Sequence, residues 1–306
     1  MDNTIINATP TDGAPPPAAA PAQKRRRGGL EAAYASATGL HHVINEDCCA
    51  HWPSADAPVF CAVADGVGGG AHGNVASQAL VAHCAQAGRE VYADRQRLAD
   101  WLRQGDAVVR EAIARRGNRP GASTLVAAWF LSESCAHVTN IGDCRAYRLS
   151  RKLWGGWRIE QITLDQTYAN LDRSPPPGGS PDDPACMAGV GAVGPTKVLP
   201  VRLAAGELLL LCSDGLHKFV DDQSLASLCG EELGKGAGLA AVCQVLVATA
   251  KAQGSHDDVS ALLVLRRRWF GAGLGYWLAL LAGLLLAVAG KATAPQIQGV
   301  IADRLG

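Results

Sequence analysis

The chain has 306 residues, 48% of them hydrophobic, which is enough for one large core with appendages and too apolar for a disordered protein. Its 28 basic and 28 acidic residues cancel, leaving no global field to hold nucleic acid. Ten cysteines, scattered singly apart from Cys48-Cys49, form neither Cys-x-x-Cys pairs nor zinc spacings, a usage that suits a reducing compartment.

Residues 1–28 are rich in Pro and Ala, close on Lys24-Arg25-Arg26-Arg27, and are expected to form a disordered basic arm. No apolar segment of a secretory signal opens them, so the N-terminus is expected inside the cell. From Gly29 the pattern turns strand-like, and Gly39 to Ile44 leads into the acidic triplet Asn45-Glu46-Asp47. Val59 to Ala64 is an unbroken apolar run that reads as a buried strand, and Asp65-Gly66 throws a carboxylate off its end. After the glycine-rich turn from Gly66 to Gly70, Val75, Ala79 and Ala82 recur at helical spacing. A second helix is expected over 95–116, with Leu98, Trp101, Leu102, Val109 and Ile113 on one face.

Strand patterns over 123–131, 135–141, 145–149 and 157–163 form an antiparallel meander, with Asp143 just past the second. Residues 168–196 have no clean period, and so long a stretch inside a compact domain reads as a functional flap. Strands over 197–203 and 207–213 reach Asp214, a helix follows around Leu239 to Val247, and Asp257-Asp258 opens a last strand over 259–265. Arg266-Arg267-Arg268 then precede 22 uncharged residues, Trp269 to Gly290. At ~1.5 Å per residue these reach ~33 Å, enough to cross a hydrocarbon core. Residues 268–290 are therefore read as a transmembrane helix and 291–306 as a short tail. The basic flank puts residues 29–267 on the cytoplasmic side.

Asp65, Asp214 and Asp257, with Glu46, Asp47 and Asp143, offer hard oxygen donors and no accompanying His or Cys set. Such donors favour Mn²⁺ or Mg²⁺ over zinc, and carboxylates on separate strand ends can bridge two ions. Two ions can lower the pKa of a water and screen a phosphoryl group during in-line attack, which points to phosphate-ester hydrolysis. Any one of these acids alone is as readily a turn residue or a helix cap; the weight lies in the set.

The stretches Asn45-Glu46-Asp47, Val63-Ala64-Asp65-Gly66-Val67-Gly68-Gly69, Gly121-Ala122-Ser123-Thr124, Asn140-Ile141-Gly142-Asp143-Cys144-Arg145-Ala146, Cys212-Ser213-Asp214-Gly215-Leu216 and Asp257-Asp258-Val259-Ser260 follow at telling intervals. In this order they resemble the bacterial-type, metal-dependent protein serine/threonine phosphatases of the protein phosphatase 2C (PPM) family, across roughly Ala32 to Leu265. The resemblance implies an α+β fold: a four-layer α-β-β-α sandwich of two antiparallel sheets flanked by helix pairs. It implies two Mn²⁺ or Mg²⁺ ions bridged by Asp65, one of them bound by the Gly66 carbonyl and the second completed by Asp214 and Asp257. Glu46 and Asp47 would act through metal-bound waters, and Asp143 with Asp214 matches the position of a third, weaker ion. The implied activity is direct attack of water on phosphoserine or phosphothreonine in proteins, opposing a Ser/Thr kinase, with the C-terminal helix holding the enzyme at a bacterial inner membrane.

Several positions depart from the family pattern. His42 stands where an arginine commonly grips the substrate phosphate, and an imidazole offers one donor where guanidinium offers a fork. His42 is therefore expected to meet the phosphate as a cation. Gly70 and Asn74 replace a frequent His and Glu, Asp258 replaces a frequent Asn, and the usual Thr-Arg is missing around Ala188 to Gly191. His72 and His256 sit near the motifs and are candidates to protonate a leaving oxygen, although surface imidazoles near glycine turns are common. The alternative reading is a catalytically weak phosphoprotein-binding module; a third is a hydrolase of small phosphate esters.

Overall fold

The computed structural model describes residues 29–52, 60–67, 72–117 and 120–267. The arm at 1–28, the transmembrane helix at 268–290 and the tail at 291–306 lie outside the described residues. Among the described residues no helix is long and apolar enough to cross a membrane.

In chain order the elements are β1 (Leu30–Ala37), β2 (Cys48–Trp52), β3 (Phe60–Ala64), β4 (Gly66–Val67), α1 (Gly73–Ala85), α2 (Arg89–Tyr92), α3 (Arg95–Ala114), β5 (Ala122–Ser123), β6 (Leu125–Ser132), β7 (Cys135–Ile141), β8 (Arg145–Arg151), β9 (Trp157–Gln161), β10 (Leu199–Arg202), β11 (Leu208–Cys212), α4 (Asp214–His217), α5 (Asp222–Gly234), α6 (Leu239–Ala252) and β12 (Val259–Arg266). One antiparallel sheet runs β1-β12-β11-β8-β9 and the other β10-β7-β6-β3-β2; β4 and β5 pair in a short ribbon.

Strands packed on both faces read as continuous apolar runs, and the core shows why these do. In β11, Leu209 and Leu211 point between the sheets, while Leu208, Leu210 and Cys212 point toward α5 and α6. In β3, Cys61 and Val63 fill the inter-sheet layer and Phe60, Ala62 and Ala64 meet α1 and α3. The result is the expected order of helices, sheet, sheet, helices. Nine of the ten cysteines are buried, mostly as small apolar members of these layers.

The sequence reading is corrected at α1 and after β11. The buried face of α1 is Ala76, Ser77, Leu80, Val81 and Cys84 rather than Val75, Ala79 and Ala82, because the helix packs on the sheet and against α3 at once. Ser77 joins that face because its hydroxyl donates to the Glu46 carbonyl at 2.6 Å. The turn α4 and the helix α5 were not foreseen, although Asp221 caps α5 by accepting from the Ser224 N–H at 3.0 Å.

The strand order brings the ends of β3, β7 and β11 and the start of β12 to one edge of the sandwich, so Asp65, Asp143, Asp214 and Asp257 share it. Leu210 is wholly buried in the layer between its sheet and the helices, where truncation leaves a cavity. Leu210→Ala is expected to lower unfolding free energy by about 3–5 kcal/mol in a denaturant titration.

Candidate active site

Residues 38–47 form an irregular loop, although 39–44 read from sequence as strand-like, and Val43 in it is 98% exposed. Asp258 shapes it. This buried carboxylate accepts from the Gly39 N–H and the Glu46 N–H, each at 2.6 Å, and makes a 3.0 Å ion-pair contact with His42 Nδ1. The Leu40 N–H adds a bond to the His256 carbonyl at 2.9 Å. A Cβ on Gly39 would lie 2.6 Å from that carbonyl oxygen, so only glycine lets the two loops come this close.

A ladder of small polar groups then orients Asp47. Asn45 donates to Ser36 at 2.7 Å and accepts from the Asp47 N–H at 2.9 Å. Ser213 donates to Asp47 Oδ2 at 2.8 Å while accepting from the Ser260 N–H at 2.9 Å. On the other side of the site, a Cβ on Gly73 would lie 2.6 Å from Glu46 Oε2 and 2.8 Å from the Gly66 carbonyl oxygen. Those two oxygens thus converge on a space that a larger residue would fill.

Asp65 is the electrostatic centre. Burial pushes its carboxyl well above the ordinary 3.8, and the charges of Asp214, Asp47, Asp257 and Asp143 push it further. Asp47 is raised well above its ordinary value first by burial and then by the Asp258 charge, against the hydrogen bonds of the serines. Burial and the Asp214 charge raise Asp143 to about 6, and the same two causes raise Asp257. Asp214 goes the other way: burial pushes it up, but the charge and hydrogen bond of Lys218 outweigh burial and hold it below 3.8. Asp47 Oδ1 and Asp214 Oδ1 are buried without a hydrogen-bond partner. Among the described residues no three acidic, His or Cys side chains are already closed around one ion. The donors crowd together and repel one another, an arrangement that cations would relieve.

Burial opposes protonation of His42, but the Asp258 carboxylate 3.0 Å from Nδ1, with the charges of Asp257 and Glu46, outweighs it and raises the pKa above 6.5, although that contact is not aligned as a hydrogen bond. His72 stands at the head of α1 and His256, exposed, packs near His41 with ring centroids 5.5 Å apart.

Three functional neighbours escaped the sequence reading. Asp258 was noted only as a departure from Asn, although an acid directly before a buried strand is a recognisable signal. Lys218 follows Asp214 by four residues, a spacing that puts both on one face of a helical turn. Asp106, on α3, accepts from the Gly189 and Gly191 N–H groups, both at 2.8 Å, and so pins the tip of the stretch read as a flap. A cavity of about 590 Å³ lined by Arg148, Arg202, Glu207 and Arg266 lies at the opposite strand ends and belongs to none of this.

Two outcomes follow for the site. A carboxyl whose folded pKa is raised, as Asp143's is from 3.8 to about 6, contributes stability that is present below 3.8 and lost as pH rises through about 6. The metal-free protein is therefore expected to lose this contribution across that interval, read by calorimetry of the chelated protein as a fall in Tm. Asp258→Ala would leave two buried N–H groups unpaired at a cost of about 1–3 kcal/mol each, with Asp258→Asn milder. Hydrogen exchange at the Gly39 and Glu46 amides locates the loss.

Comparison with known proteins agrees with this architecture. The sequence profile of the family Protein phosphatase 2C matches residues 41–236. The serine/threonine phosphatase stp of Listeria monocytogenes is 27% identical over 240 residues, covering 74% of this chain and 91% of that protein. The serine/threonine protein phosphatase PstP of Mycobacterium tuberculosis is 30% identical over 208 residues, 64% of this chain and 38% of that protein. The solved catalytic domain of a PstP in complex with two manganese ions superposes with a TM-score of 0.60 at 26% identity, covering 78% of this chain and 99% of that one. The chain belongs to the protein phosphatase 2C family and is a protein-serine/threonine phosphatase.

Proposed function

We propose that the acidic edge of the sandwich holds two Mn²⁺ or Mg²⁺ ions and that the enzyme removes phosphate from phosphoserine and phosphothreonine in proteins, opposing a Ser/Thr kinase. One observation carries the reading: a buried carboxylate, Asp65, stands amid the charges of four others, and among the described residues no ion pair is made to it. Unpartnered Asp47 Oδ1 and Asp214 Oδ1 and the convergence of Glu46 with the Gly66 carbonyl fit an oxygen-ligated metal centre. Asp65 would bridge the ions, Gly66 and Glu46 would serve one, Asp214 and Asp257 the other, and Asp47 would act at one remove. When bound, such ions supply Lewis-acid charge for hydrolysis at phosphorus.

The chain's own residues do the rest. Ser213 fixes the rotamer of Asp47, and Asp258 anchors the loop that carries Glu46. His42, held by Asp258 and favoured as a cation, binds the substrate phosphate by charge and a single N–H. Asp106 holds residues 189–191 beside α3 and so fixes the stretch read as a flap at one point.

We further propose that residues 268–290 anchor the enzyme in the membrane with its catalytic domain on the cytoplasmic face, a reading supported by the 22 uncharged residues behind three arginines.

Phosphate release from a phosphothreonine peptide is expected to require Mn²⁺ and to vanish with a chelator, in Asp65→Asn and in Asp214→Ala. Release that survives all three would remove the dinuclear reading. His42→Ala is expected to raise KM more than it lowers kcat and to abolish a pH dependence in KM; unchanged KM and profile would discard His42 as the phosphate contact. Membrane fractionation of the chain with and without 268–306 checks the anchor, which requires the shorter chain to leave the membrane pellet.

A further inference from the structure

The turn after β11 places a cation where the acids would otherwise gather one. Lys218 Nζ lies 2.6 Å from Asp214 Oδ2 and 3.3 Å from Asp143 Oδ2. These are the two carboxylates to which the family resemblance gives a third, weaker ion. We infer that in this chain the Lys218 ammonium occupies that position permanently, so that the enzyme works with two ions and a tethered cation rather than with three ions. The inference rests on the two-ion reading of the site and goes beyond it.

Backbone geometry fixes the lysine there. Within α4 the Lys218 N–H donates to the Asp214 carbonyl at 3.0 Å, which closes one helical turn and stacks the two side chains. The same turn is tied to Asp143 a second time, because His217 Nε2 lies 2.9 Å from the Asp143 carbonyl and donates to it. Two successive residues therefore grip the backbone and the side chain of Asp143. Asp143 is almost fully buried, whereas the Lys218 side chain is 41% exposed, so its methylenes reach in from the rim while solvent still touches it.

An ion bound between these carboxylates would need the oxygens that the ammonium holds. It would also face a positive charge at van der Waals distance. Mg²⁺ gives up its waters reluctantly, whereas the lysine, attached to the same turn, loses no translational freedom on arriving. The ammonium leaves Asp214 Oδ1 uncommitted, so the lysine and the two-ion centre share Asp214 without competing for one oxygen.

Metal stoichiometry tests this directly. The full chain is dialysed to equilibrium against millimolar Mn²⁺ and its bound metal counted by mass spectrometry, alongside Lys218→Ala and Lys218→Arg. The expected counts are two ions for the wild type, two for Lys218→Arg, which keeps a cation, and three for Lys218→Ala, which frees both carboxylates. Three ions in the wild type, or no third ion in Lys218→Ala, overturn the inference while leaving the two-ion centre standing. Fewer than two in the wild type removes the two-ion reading and this inference with it.

Discussion

The ion-dipole clasp of Asp258 is the constraint on which the site depends. Its two oxygens hold backbone groups 219 and 212 residues away in sequence, so the first loop of the domain takes its shape only against the last strand. Glu46 is carried by that loop and Asp47 is its last residue, while Asp257 is the immediate neighbour of the clasp. Nothing local could hold them together. Contacts of such sequence separation close a loop of nearly the whole domain, so the acidic edge is assembled only when both ends of the domain are in place.

The second organising fact is repulsion. Asp65, Asp47, Asp143 and Asp257 are all raised by burial and by neighbouring carboxylate charge, that of Asp214 in every case, so the edge is costly to the fold in the absence of cations. The sheets beneath it are correspondingly well packed: β3 and β11 have every residue buried, and the strand ends cannot splay to relieve the crowding. Arg145, bidentate on Asp165 and bonded to the Tyr147 hydroxyl, braces the adjoining strands in the same way. Strain of charge at the rim is set against apolar burial in the layers.

What the sequence displayed was whatever depends on short range. Asp65, Asp143 and Asp214 stand just beyond strand-forming runs and Asp257 just before one, and the runs are visible because both faces of those strands are buried. The family-like spacing of the motifs then supplied the two-sheet architecture. What it hid depends on neighbours far along the chain. Residues 39–44 have apolar content enough for a strand, yet Asp258 captures their backbone. The phase of α1 was misread because the helix packs on the sheet and against α3 at once, and Ser77 joins the buried face for its bond to Glu46. Lys218 and Asp106 look like ordinary surface charges on helices until the strands and the 189–191 turn are folded against them.

The buried cysteines have one more effect, on which donors the acidic edge offers. Cys48 and Cys49 follow Asp47, Cys144 follows Asp143, and Cys212 lies two residues before Asp214, so thiols surround a cluster of oxygen ligands. Zinc and copper outbid manganese at nearly any site offering nitrogen or sulfur, and a thiolate here would invite mismetallation. Burial pushes every one of these thiols up, Cys48 to about 12, and keeps them protonated at neutral pH. At neutral pH the strands thereby present carboxylates and carbonyls, not thiolates, toward this edge.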